Sequence, residues 1–171
     1  MLSYCMRADV GIVGARLLYP DGTVQHAGVI VGLGGVAGHA FLGSQRNDPG
    51  YFNRIICVQD YSAVTAACMM VKRSVYNEVK GMDTELQVAF NDTDFCLRVR
   101  EKGYRILYQP FAVWYHEESK TRGAEDTEEK VERFRGEIEY FQRRWKAFLK
   151  NGDPNYNPNL ALDRHDFSLR R

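Results

Sequence analysis

Two short stretches of this chain combine residue types that can do chemistry. The first is Asn91-Asp92-Thr93-Asp94, placed by the pattern around it at the start of a helix. Two carboxylates there sit in the positive field of the helix N-terminus, which favours their ionised form. A carboxylate held in that way can take a proton from a hydroxyl as a general base. The same spacing also serves a plainer purpose, helix capping plus an i,i+4 ion pair between Asp94 and Arg98. The second stretch begins at His116, after Trp114-Tyr115, and runs on through Glu117, Glu118, Ser119, Lys120, Thr121, Arg122 and Gly123. An imidazole beside hydroxyl and cationic residues can bind a metal ion and a phosphate together. A partly buried histidine followed by a solvated polar loop is the simpler alternative. His26 and His39, in a predicted hairpin and a glycine-rich loop, carry less signal.

Other familiar chemistries lack support. Gly32-Leu33-Gly34-Gly35-Val36-Ala37 fits G-x-G-x-x-A, yet the residues after it, GHAFLGSQRNDPG, do not read as the helix whose N-terminus would hold a pyrophosphate. These glycines are read as loop residues. No P-loop, H-E-x-x-H or G-x-S-x-G motif occurs.

The elements that must position these residues are legible in outline. Val10 to Tyr19 and Val24 to Val31 read as two strands of a hairpin, joined through the turn residues Pro20-Asp21-Gly22-Thr23. Gly32 to Gly50 reads as a mobile loop, and Tyr61 to Lys72 as a buried strand. Ser74 is expected to cap a short helix that ends at Gly81. Asn91 or Asp92 caps a second helix running to about Lys102 and closed by Gly103, and Tyr104 to Tyr115 returns as a strand. From Asp126 to Lys150 the apolar residues Val131, Phe134, Ile138, Phe141, Trp145 and Phe148 recur at steps of three and four, defining one face of a long helix. The remaining residues, 151–171, are rich in Asn, Asp and Pro and read as an extended strap.

Composition bounds the class. A chain of 171 residues is expected to form one domain, divided here into a core at 1–125, an amphipathic helix at 126–150 and a tail at 151–171. Lys+Arg 23 against Asp+Glu 22 leaves no net field to attract nucleic acid. Cys5, Cys57, Cys68 and Cys96 are too scattered for a zinc knuckle or a disulfide framework and are read as reduced thiols in apolar settings. No stretch approaches the ~20 apolar residues of a membrane span and the first residues lack a signal-peptide core, so a cytoplasmic location is expected.

Taken in order, VGIVGARLLYPDGTVQHAGV, VTAACMMVKRSVYNEVKGMD, NDTDFCLRVREKGYRILYQP, WYHEESKTRG and GDPNYNPNLAL resemble the C-terminal half of family 2 glycosyltransferases, in particular the bacterial rhamnosyltransferase-like members. The likeness spans nearly the whole chain. It implies an α/β fold, part of a GT-A domain, with a mixed sheet, flanking helices and a long C-terminal helix. The implied reaction moves a sugar from a nucleotide-diphosphate sugar to a hydroxyl of a glycan or lipid-linked acceptor, with inversion, in the assembly of cell-surface polysaccharide. By this resemblance Asp92 is the general base, with Asn91, Asp94 and Thr65 supporting the acceptor side. His116, 116 − 92 = 24 residues after Asp92, becomes a ligand to Mn²⁺ or Mg²⁺ on the donor diphosphate, and Ser119, Lys120, Thr121 and Arg122 become the loop that closes on it. These ions prefer oxygen ligands, so His116 needs carboxylates from elsewhere. Asn91 stands where the family has Glu, and Ala66 where it has Gly. The family's D-x-D motif is expected to precede this chain, making it an acceptor-side portion that is inactive alone. The expected location is then the cytoplasm, at the inner face of the membrane. An unpaired sheet edge, and with it homodimerisation through that edge or through the helix at 126–150, is a further expectation. A binding or assembly module that keeps the acceptor face without catalysis is the alternative function.

Overall fold

The computed structural model describes residues 1–117 and 127–170. Its spine is β1 (Val10–Leu18), buried along its whole length, as a near-continuous Val/Ile/Leu run requires of a strand covered on both faces. On one edge β1 pairs in parallel with β7 (Arg105–Tyr115), from Val10↔Arg105 to Leu18↔Tyr115. Its other edge is shared end to end by two antiparallel partners, β2 (Val24–His26) and β6 (Met69–Val71). A short β5 (Gln59–Asp60) pairs antiparallel with β7, giving a five-stranded mixed sheet. A short α1 (Leu2–Cys5) precedes β1, and with the helices that flank the sheet this is the expected α/β architecture.

The turn between β1 and β2 follows its residue types. Asp21 accepts hydrogen bonds from the backbone N–H and the hydroxyl of Thr23, while Gly22 takes φ 87°. The second strand is shorter than the sequence suggests. It breaks at Ala27-Gly28, after which β3 (Val29–Val31) pairs with β4 (Ala37–His39) in a separate two-stranded sheet. Gly28 has φ 107°, and a Cβ there would lie 2.5 Å from the buried ring of Tyr61. Gly28→Ala should therefore combine left-handed strain with overpacking, costing about 2–4 kcal/mol in urea denaturation.

Tyr61 to Lys72 is strand only at β6; Ala66–Cys68 forms a 3-10 turn whose N-cap hydroxyl, Thr65, accepts from the Ala67 N–H at 3.3 Å. Gly14 explains the route of this segment, because Val64 comes within 2.5 Å of where its Cβ would be. Next comes α2 (Arg73–Glu78), with Lys72 rather than Ser74 at the N-cap and no side-chain cap. Lys80 and Gly81 both turn left-handed, and the Gly81 N–H closes on the Tyr76 carbonyl.

The helix α3 (Asn91–Glu101) buries Thr93, Asp94, Phe95, Cys96, Leu97 and Val99 against the sheet. Gly103, at φ 88°, then reverses the chain into β7. Consequently α3 runs antiparallel to β7, and its N-terminus lies toward the end of the sheet where β1 and β7 finish. Beyond Gln109, β7 departs from regular pairing. Ala15 pairs with Gln109 but Arg16 pairs with Val113, so Pro110, Phe111 and Ala112 bulge outward and Phe111 is 75% exposed.

The long C-terminal helix is two helices, α4 (Glu128–Arg144) and α5 (Lys146–Asn151), meeting at Trp145. Phe141 and Trp145 are buried with Val31, Val36, Leu86 and Leu97, whereas Val131 and Phe134 remain exposed, so only the second half of the apolar face packs fully. Residues 152–170 are tied down by side chains. Asp153 accepts from the Val31 N–H at 2.9 Å, the Ser62 hydroxyl at 2.5 Å and the Asn155 N–H at 2.8 Å, and Phe167 stacks on Phe41 at 4.4 Å. Cys5 and Cys96 are buried thiols as expected; Cys57 is exposed, its place in the loop after Asn53 leaving it outside the core.

Candidate functional site

The path into α3 is built by α4. Glu137, a lone acid on the apolar face of that helix, is buried and accepts from the backbone N–H groups of Val88 and Ala89 at 2.9 and 3.1 Å. Phe90, next in line, is left-handed (φ 60°) and packs on the rings of Phe134 and Phe141. Phe90 rather than Asn91 or Asp92 thus occupies the N-cap position, because side chains from α4 hold the approaching chain there. Asn91 opens the helix, and its side-chain oxygen accepts from the Asp92 N–H at 2.7 Å.

Asp92 is half-exposed and bridges two elements. One carboxylate oxygen accepts from the N–H and hydroxyl of Thr93, at 2.7 and 3.3 Å, and the other accepts from the Ala66 N–H at 3.1 Å. The adjacent Thr65 N–H donates to His26 Nε2 at 3.4 Å, so the 65–67 turn hangs between Asp92 and His26. His26 is fully buried, with Nδ1 3.1 Å from Nδ1 of His39. Burial first, and the neighbouring imidazole second, hold the His26 pKa well below its ordinary value.

Asp94 has a different setting. It is fully buried and receives the Trp145 indole N–H at 2.9 Å, Arg98 at 2.7 Å and Arg144 at 3.2 Å. The i,i+4 pair with Arg98 that its spacing allows is present, and two further donors from the α4–α5 junction join it. This carboxylate fastens α4 to α3.

His116 lies where β1 and β7 end. Its backbone N–H donates to the Leu18 carbonyl at 2.9 Å and its Nδ1 contacts Gln25 Oε1 at 2.8 Å. An amide oxygen only accepts, so Nδ1 carries the proton and the lone pair sits on Nε2. That is the tautomer a metal ligand needs, with Gln25 as the outer partner that fixes the ring. For a divalent cation His116 therefore fits as one ligand. Among the described residues no group of three His, Cys, Asp or Glu side chains gathers around a common point, so further ligands would come from a substrate or from other residues.

Asp92 and His116 are joined through a short series of contacts: Asp92 to Ala66, Thr65 to His26, then along β2 to Gln25 and on to His116. Both lie at the carboxyl end of the parallel β1–β7 pair, the end at which open α/β sheets bind ligands. Ser119, Lys120, Thr121 and Arg122 lie outside the described residues. Sequence reasoning passed over Gln25, although it stands in the P-D-G-x-x-Q hairpin, and Glu137, although a buried acid between Phe134 and Phe141 on an apolar helix face is itself a signal.

The arrangement is thus a mixed α/β sheet with a bridged carboxylate and an oriented imidazole at one end. No family model matches this chain. It is 54% identical over 170 residues to a protein of Sinorhizobium fredii (strain NBRC 101917 / NGR234) described as uncharacterized protein y4gI, covering 99% of this chain and 19% of that protein. It is also 36% identical over 172 residues to the O-antigen biosynthesis protein RfbC of Myxococcus xanthus, covering 100% of this chain and 13% of that protein. The chain therefore spans less than a fifth of the length of either relative. Among the described residues no helix is long and apolar enough to cross a membrane.

Proposed function

We propose that this chain serves bacterial cell-surface glycan biosynthesis as the acceptor-side part of an inverting family 2 glycosyltransferase of GT-A type. The observation that carries the reading is Asp92, half-exposed at the N-terminus of α3 and held there by the Ala66 N–H. The likeness to an O-antigen biosynthesis protein supports the glycan setting. In this reading the substrates are a nucleotide-diphosphate sugar and a hydroxyl of a glycan or lipid-linked acceptor, met in the cytoplasm at the inner face of the membrane.

The chemistry follows from the groups present. An acceptor hydroxyl attacking the anomeric carbon must lose its proton, and Asp92 receives it. Backbone and hydroxyl donors on both carboxylate oxygens fix its orientation, so little reorganisation accompanies proton transfer. Charge gathers on the departing diphosphate, and Mn²⁺ or Mg²⁺, when bound, neutralises it. His116 would hold that ion through Nε2, with Gln25 fixing the orientation of the ring.

Calorimetric titration with Mn²⁺ and UDP or dTDP tests this assignment. The wild-type chain and Asp92→Asn should bind alike, and His116→Ala should lose at least tenfold in affinity. Unchanged binding by His116→Ala would reject its place in the donor site. Absence of binding by the wild-type chain would overturn a donor site in these residues. A second reading, an assembly module, is favoured by the outer edge of β6, which among the described residues pairs only with β1, and by the exposed Phe111, Trp114 and Tyr115 on β7. A dimer in light scattering, together with no nucleotide binding, would select it.

A further inference from the structure

We propose that Arg16 and Arg46 form an oxyanion subsite beside His116 that takes a phosphoryl group of the substrate, an inference that rests on the glycosyltransferase reading. Arg16 projects from β1 at its register with Val113 and is 7% exposed. One guanidinium nitrogen donates to the Arg46 carbonyl, and the buried Nε has no partner. Among the described residues no carboxylate pairs with either arginine. A guanidinium does not shed its proton, so a buried one without a counter-charge is costly unless an anion completes the site.

Arg46 places this charge next to the candidate centre. Its Nη1 donates to the Tyr115 hydroxyl at 2.6 Å, and its guanidinium carbon lies 5.9 Å from the centre of that ring. Tyr115 immediately precedes His116 and pairs with Leu18, whose carbonyl receives the His116 N–H. The two arginines therefore converge on the carboxyl end of the β1–β7 pair. Their forked donors suit the oxygens of a phosphate better than a point charge would. The buried Arg16 is the fixed member, and the exposed Arg46 is the one a ligand reaches first.

Two sources could supply the phosphoryl group, the diphosphate of the donor and the phosphate of a lipid-linked acceptor. The test is titration of the whole chain with inorganic pyrophosphate, then UDP, then farnesyl phosphate, all without divalent metal, followed by calorimetry and by thermal unfolding. Wild type should bind pyrophosphate and gain melting temperature with it, and Arg46→Ala should bind at least tenfold more weakly and lose that gain. Tighter binding of UDP than farnesyl phosphate assigns the subsite to the donor; the reverse assigns it to the acceptor. Arg16→Met should also lose the pyrophosphate response, and Arg46→Ala covers the case in which Arg16→Met does not fold. Equal pyrophosphate binding by wild type and Arg46→Ala, or none by wild type, would overturn the subsite. Its failure leaves the larger reading standing if Mn²⁺-dependent nucleotide binding still requires His116. Loss of that requirement with the pyrophosphate response intact would instead remove the glycosyltransferase reading alone.

Discussion

Asp94→Ala is expected to lower stability by about 3 kcal/mol in urea denaturation, because it removes the buried carboxylate on which an indole N–H and two guanidinium groups converge. Asp94 is 0% exposed and takes donors from Arg98, Arg144 and the Trp145 indole, so alanine would orphan the indole N–H and remove the carboxylate beside Arg98, which keeps the Val79 carbonyl, while Arg144 keeps Asp83. Asp94→Asn should cost less, since an amide oxygen can still accept the indole N–H while the charge is lost. The contrast with its neighbour sharpens the expectation. Asp92→Asn keeps the shape of a half-exposed side chain and should leave the denaturation midpoint within about 1 kcal/mol of wild type. If Asp94→Ala unfolded at the wild-type urea concentration, the network would be an ornament of the surface and α4 would be held by packing alone.

Acidification should weaken the fold earlier than carboxylate titration can explain. The folded-state pKa of His26 lies well below 6.5, first through burial and then through His39. In the unfolded chain His26 titrates near 6.5, so below that pH the unfolded state binds the extra proton. Stability from this residue is complete above pH 6.5 and declines as pH falls, by up to about 1.4 kcal/mol per unit until the folded pKa is reached. Asp9, held at about 2 by Arg7 and then Arg105, and Asp21, Asp83 and Asp166, all lowered from 3.8, are shifted in the same direction but lose their contribution only at lower pH, below the ordinary carboxylate range. Urea midpoints at pH 7.5, 6.5 and 5.5 should therefore fall, and His26→Gln should flatten the decline. A variant as steep as wild type would assign the acid response elsewhere. Protonation of His26 would also deprive the Thr65 N–H of its acceptor, loosening the turn that holds Asp92.

The parts of this molecule that were legible in its sequence are those governed locally. The Val/Ile run of β1, the Asp21-Gly22 turn, α3 with its closing Gly103 and the return strand β7 each carry their own signal within a few residues. The parts that escaped are decided by distant partners. Tyr61 to Lys72 has the composition of a strand, but the close pass of Val64 over Gly14 and the Asp92 bridge to Ala66 turn most of it into a fixed loop. The helical period from Val131 to Phe148 runs on without a break, whereas the backbone breaks at Trp145, whose indole N–H is bonded to Asp94, 51 residues earlier. Of the candidate site, the residue types at Asp92, Asp94 and His116 stood out. Their settings did not, since Asp94 is committed to Trp145 and Arg144, and the orientation of His116 depends on Gln25 across the sheet.

The pairing of β1 with β7 bears on how this protein is made. Ile12 meets Ile106, 106 − 12 = 94 positions later, so β1, made before β7, waits for those residues before that edge is covered. Such non-local contacts raise contact order and slow folding, because the entropy of closing a long loop is spent before the contacts that reward it form. Until then this apolar strand pairs, among the described residues, with its hairpin partner β2 and, later, with β6. On the ribosome this interval exposes the Val10–Leu18 segment to chaperones and to other nascent copies, so yield during expression depends on synthesis rate and temperature as much as on final stability.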